Sequence, residues 1–164
     1  LLNSSISADS CVREASTKSA CCKRTCAATP ISHPTTITRS VCYCLTRNIV
    51  GTIHIAADSV ELDLNCHEID GNGALWAIQA SGQQDITIKN GLVRNAGQAG
   101  ISLTDCKTIK LEDLSLTECN RAIVLDTCSE GKVNCCKAYN NTNIGSDDST
   151  AVVSVLYSQN LEFN

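Results

Sequence analysis

The chain has 164 residues, room for one domain with a hydrophobic core and too little for two comfortable ones. At 43% hydrophobic and 18% charged it is neither a disordered chain nor a coiled coil, and its net charge of −4 argues against nucleic acid as a partner. No apolar run approaches the roughly 18–20 residues that a membrane-spanning helix needs.

The N-terminal part is defined by cysteine. Twelve cysteines are present, and Cys11, Cys21, Cys22, Cys26, Cys42 and Cys44 fall within the first 44 residues. Ahead of them runs a polar arm, Leu1 to Ser10, with Leu1, Leu2 and Ile6 as its apolar anchors. A strand-like stretch, Thr36 to Leu45, closes the segment, so residues 1–45 read as a Cys-rich arm or cap. The chain has no Met and begins Leu1-Leu2, which reads as a processed form that has lost a signal segment, or as a stretch starting inside a longer chain.

The other six cysteines are Cys66, Cys106, Cys119, Cys128, Cys135 and Cys136. An even count this high points to an oxidising compartment, hence secretion to the cell exterior or surface, and to a disulfide framework drawn from all twelve. Zinc is disfavoured. Only Cys22 and Cys26 resemble half a site, and His33, His54 and His67 stand in no ligand array. Sequons at Asn3 and Asn140 fit glycosylation of a secreted chain.

From residue 46 onward a repeat emerges. Ile78, Ile101 and Ile123 recur about every 22–23 residues. The next step, from Ile123 to Val152, is longer, and its extra length falls in the polar stretch 140–150. Each unit holds runs of three to five residues with apolar side chains at alternate positions, such as Val60/Leu62/Leu64, Ile86/Ile88, Ile101/Leu103 and Ile109/Leu111. Gly, Asn, Asp and Ser separate the runs. Short strands recurring in one order cannot easily form a sandwich. They wind instead as coils, each strand pairing in parallel with its copy one coil later. The narrow interior of such a coil explains why the only aromatics are Tyr43, Trp76, Tyr139, Tyr157 and Phe163.

The run Val60-Glu-Leu-Asp-Leu-Asn-Cys-His-Glu-Ile-Asp-Gly-Asn-Gly73 is similar to the V-x-L-D-L-N-G-H-x-I-x-G coil of the pectate-lyase-like superfamily, and Asp85-Ile-Thr-Ile-Lys-Asn-Gly91 is similar to its N-I-T-I-K-N-G coil. Cys66 stands where Gly is usual. The resemblance covers residues 50–164. It implies an all-β, right-handed parallel β-helix over residues 46–164, with about five coils of roughly 22–29 residues each. Cys106 and Cys128, each five residues after an isoleucine of the repeat, should then stack on adjacent coils. A disulfide and a reduced ladder of packed thiols are equally good readings there.

That superfamily often hosts polysaccharide lyases and hydrolases, whose chemistry makes definite demands on the residues. Asp147-Asp148 resembles the aspartate pair of polygalacturonases, but Asn141-Thr142-Asn143 lacks the expected Asp and no His follows His67. Glu61 and Asp63 should face outward, with Asp85, Glu112 and Asp113 on neighbouring coils and Arg94 and Arg121 as the available lyase bases. Their registers are not set by sequence, and outward charge on a solenoid normally serves solubility. No aromatic platform, threonine array, catalytic triad or phosphate loop is present. The reading is therefore a non-enzymatic protein without cofactor or metal.

A solenoid exposes a β-edge and a hydrophobic cross-section at each end, and such ends template association. The sequence-based expectation is a structural subunit of an extracellular fibre or surface appendage, copies joining head to tail with disulfide support. The alternatives are a polysaccharide-active or glycan-binding domain of the pectate-lyase-like class and a fragment of a larger adhesin solenoid.

Overall fold

The computed structural model describes residues 28–142 and 153–164, and among them every regular element is a strand. β1 (Thr29–Ile31) leads into successive coils. These are β2 (Thr35–Ile37), β3 (Cys42–Leu45) and β4 (Ile49–Val50); β5 (Ile53–Ile55), β6 (Val60–Asp63) and β7 (Glu68–Asp70); then β8 (Trp76–Ser81) and β9 (Gln84–Arg94). There follow β10 (Ala99–Thr104) and β11 (Lys107–Thr117); β12 (Arg121–Asp126), β13 (Ser129–Asn134) and β14 (Lys137–Tyr139); and last β15 (Val153–Leu156) and β16 (Gln159–Phe163).

All pairing is parallel. A six-stranded sheet runs β2-β5-β8-β10-β12-β15, and a ten-stranded sheet runs β1-β3-β6-β9-β11-β13-β16, with β4, β7 and β14 forming a side branch on β9 and β11. Tyr43, Leu62, Ile88, Leu111 and Val133 are register partners in succession, so the chain completes four turns between the first and the last. The fold is a parallel β-solenoid of about four full turns, with β1 and β16 adding a rung at either end, against about five coils expected. Stacking also reaches back into the Cys-rich segment: β3 pairs with both β1 and β6, and β2 pairs with β5.

The core is a set of aliphatic rows along the axis. Ile53, Ile78, Ile101 and Ile123 form one row of the smaller sheet, and Leu62, Ile88, Leu111 and Val133 one row of the larger, all essentially buried. Each rung covers the one before it, so every coil between the ends removes apolar area from water on both of its faces.

The corners explain why β9 and β11 are longer than the runs visible in sequence. Residues in left-handed conformation recur in register. Ser59, Asp85, Thr108, Glu130 and Asn160 form one such line, with φ of 52°, 57°, 55°, 56° and 55°. Asn90, Asp113 and Cys135 form a second, and Asn95, Glu118 and Asn140 a third. The first two lines bend β9 at Asp85 and Asn90 and β11 at Thr108 and Asp113 within their ladders, and the third follows the ends of β9, β11 and β14. Asn and Asp tolerate this region, whereas Thr108 and Glu130 are held there by the stacked hydrogen bonds around them. Gly91 has a different reason: the bulge Leu64–His67 lies over it, and a Cβ there would strike the Leu64 side chain and stand 2.8 Å from the His67 carbonyl oxygen.

Candidate functional site

The outer face of the larger sheet carries the polar residues most able to meet a ligand. Because interior and exterior alternate along a strand, burying Val60/Leu62, Ile86/Ile88, Ile109/Leu111 and Val133 turns Glu61, Thr87, Lys110, Lys132 and Glu162 outward as one row. A second outward row follows through Asp63, Lys89, Glu112 and Asn134. Beside the left-handed line an open groove of about 600 Å³ forms, lined by Asp85, Thr108, Lys110, Glu130, Lys132 and Glu162 among others.

The charges in and around this groove are paired, most of them between adjacent coils. Lys89 Nζ donates to Glu61 Oε1 at 2.7 Å, Lys110 Nζ lies 3.0 Å from Glu112 Oε1, and Lys132 Nζ lies 2.7 Å from Glu162 Oε2. Lys107 Nζ approaches Glu130 Oε1 at 3.4 Å. Asp63 accepts hydrogen bonds from the backbone N–H of Asn65 and the side-chain amide of Asn90. A glycosidase needs two free carboxyl groups across one bond, one of them desolvated to serve as acid. Glu130 and Glu162 are instead exposed, each beside a lysine.

Arg94 is not an available base. It bridges Glu68 at 2.6 Å, Asp70 at 2.8 Å and Glu118 at 3.4 Å, and the Glu68 hydrogen bond, with the charges of Glu68 and Asp70, raises its pKa further. A guanidinium clamped by three carboxylates ties three coils together and keeps its proton. Arg121 opens β12. Among the described residues no three His, Cys, Asp or Glu converge on a point that would hold a metal ion.

The cysteines divide by position. Cys42 and Cys44 are half-buried on the outer face of β3, beside Glu61 and Asp63. Cys66 and Cys135 occupy left-handed corner positions. Cys106, Cys119, Cys128 and Cys136 are buried free thiols. The reason for two of them is plain from register. Cys119 is flanked by Ala96 and Asn141, and Cys136 lies beside Leu114, so both pack as small apolar side chains with no facing sulfur. Burial pushes the Cys119 thiol up in pKa and the Cys136 thiol up to about 11. Cys106 and Cys128 do face each other. Cys11, Cys21, Cys22, Cys26, Asn3 and Asp147-Asp148 lie outside the described residues.

Asn140 is exposed at a corner, whereas the next residue of the sequon is structural. Asn141 is buried, accepts from the Cys119 N–H at 3.0 Å and donates to the Leu116 carbonyl at 3.2 Å, joining one coil to the next. Sequence reasoning missed this role. The available signal was that Asn141 follows Cys119 by one repeat length.

No family model matches the chain, and no curated protein matches it. Among solved structures it is similar to the crystal structure of a putative glycosyl hydrolase from Parabacteroides merdae ATCC 43184, with 15% identity, 79% of each chain covered and a TM-score of 0.47. That likeness is too slight to transfer any chemistry.

Proposed function

We propose that the protein is a secreted structural subunit that stacks head to tail into an extracellular fibre. One observation carries the reading. In the rung formed by β15 and β16, Val153, Leu161 and Phe163 continue interior rows that are fully covered in the coils below, yet they are only half-buried. Among the described residues, β16 and β1 are the two edges of the larger sheet, and β15 and β2 those of the smaller. A copy placed on the β15–β16 rung would continue both sheets in parallel and cover these side chains. A heterologous contact of this kind does not close, so it propagates as a filament.

Negative-stain electron microscopy of the purified chain tests this. Filaments with an axial repeat of roughly 30 Å, set by six or seven rungs at ~4.8 Å, are the expected result. The double substitution Leu161→Lys, Phe163→Asp should abolish them while leaving the β circular dichroism intact. Monodisperse particles of the unsubstituted chain would overturn the reading, leaving a module of a longer adhesin solenoid as the better account. The groove on the larger sheet supports a second reading, glycan binding, since its lysines and carboxylates offer hydrogen bonds to a uronate polymer. Calorimetric titration with oligogalacturonate, with and without Ca²⁺, decides it, and absence of heat in both arms removes it.

A further inference from the structure

The corner joining β10 to β11 and the corner joining β12 to β13 are superposed along the axis. Thr104 pairs with Asp126 and Lys107 with Ser129, so the two intervening residues match and Cys106 stands directly over Cys128. At a parallel-strand spacing of about 4.8 Å their Cα atoms fall inside the roughly 4.4–6.8 Å range that a disulfide spans. Both thiols are about 1% exposed, and the Cys128 thiol donates to Cys106 once Cys106 ionises. Both also lie within donating distance of carbonyl oxygens, Cys106 of Thr104 at 3.3 Å and Cys128 of Leu103 at 3.3 Å. Among the described residues, these alone of the four buried free thiols have a sulfur opposite them.

We propose that Cys106 and Cys128 are a redox-closed staple, a dithiol that a small-molecule disulfide oxidises to a covalent bond between consecutive coils. The Cys106 thiolate attacks one sulfur of the oxidant, forming a mixed disulfide and expelling one thiolate. Cys128, giving up its proton, then attacks Cys106 Sγ and expels the second. Two electrons and two protons pass from the pair to the oxidant, which leaves as two thiols.

The environment sets which sulfur attacks first. The Cys106 thiol is drawn down to about 7, chiefly by the hydrogen bond from Cys128 and, against the opposing effect of burial, by backbone groups of Gln83, Thr104 and Gly82. The hydrogen bond to Cys106 and burial push the Cys128 thiol up, so Cys128 keeps its proton until Cys106 has reacted. The exposed Asp105 and Thr127, both in left-handed conformation at these corners, form the thin wall through which the oxidant reaches the pair when the corner opens. The inference does not depend on fibre assembly.

The test is disulfide mapping of the native chain. The protein is incubated with oxidised glutathione, alkylated, then denatured and digested with trypsin without reduction. Cleavage releases Cys106 on the peptide Asn95–Lys107 and Cys128 on Ala122–Lys132. The expected product is these two peptides joined, lighter than their sum by two hydrogens, with Cys119 still unoxidised. In Cys128→Ser the first step should stall, leaving glutathione on Cys106, a product that a purely structural thiol would not give. Absence of the joined peptide, under conditions that oxidise the denatured chain, overturns the proposal. So does oxidation of Cys119 to the same extent.

Discussion

Ile101 and Ile123 in the middle coils and Val153 in the last rung occupy one row of the smaller sheet, and Leu111, Val133 and Phe163 one row of the larger. The middle residues are buried and the last ones half-exposed, although residue type and register hardly change. Burial in this fold is therefore a property of position along the axis. A solenoid side chain is covered by the next rung, so the same residue contributes its full transfer energy in the middle and a fraction of it at an uncovered rung.

The sharpest way to break that contrast is to delete the same row at both places. Leu111→Ala opens a void between two covered rungs and should cost about 3 kcal/mol or more, whereas Phe163→Ala should cost under ~1.5 kcal/mol in the unassembled chain. Urea unfolding midpoints of the two variants measure this. Equal losses would mean that the last rung is as well covered as the middle ones. If subunits stack as proposed, the Phe163→Ala penalty should rise toward that of Leu111→Ala in the assembled state.

A smaller effect probes the corner just before the last rung. Cys136 lies between β13 and β14, and its thiol is pushed up to about 11, first by burial and then by the charges of Asp113 and Glu112. In the unfolded chain the thiol ionises near its ordinary value of 9.0, while in the folded chain it keeps its proton. Its contribution is thus fully present below pH 9 and lost as pH rises through 11, by roughly 2–3 kcal/mol. Urea titrations at stepped alkaline pH should show that decline, and Cys136→Ala should remove this share of it. An unchanged slope in Cys136→Ala would mean that the corner opens to water before the thiol ionises.

Much of this architecture is legible in the sequence. Alternation at Val60/Leu62, Ile86/Ile88 and Ile109/Leu111, within a repeat of about 22–23 residues, is enough to demand parallel coils, because each run has one buried face and a fixed order. The corners are less legible. Thr108 and Glu130 adopt a conformation that their residue types disfavour, and only the neighbouring coils impose it. The contribution of β3 is obscured because its outward residues are Cys42 and Cys44, which read as a disulfide framework rather than as alternation with Tyr43 and Leu45. The groove and the Arg94 clamp are out of reach for a common reason, unlike the Asn141 bridge, which lies one repeat length from Cys119. Each joins residues of different coils, and the coil step is uneven, shorter from Tyr43 to Leu62 than from Leu62 to Ile88. An uneven step blocks such assignment in the early coils, whereas the even later steps place Cys106 over Cys128.

The smallest expected effect lies in the outward charges, and it too separates the middle from the end. Lys89–Glu61 and Lys132–Glu162 are ion pairs of equal length at 2.7 Å, both between adjacent coils of the larger sheet. The first pair has side-chain exposures of 17% and 32%, the second 56% and 61%. Solvent screens the second pair almost completely, and two long side chains lose conformational freedom to make it. A double-mutant cycle on Lys89 and Glu61 should therefore return a coupling of about 0.5–1 kcal/mol, and the matching cycle on Lys132 and Glu162 should return close to ~0. Raising the salt concentration should shrink the first coupling only modestly, because its partners are partly withdrawn from water. A coupling at Lys132–Glu162 as large as that at Lys89–Glu61 would show that the last rung is shielded in solution, which is what a stacked copy would do.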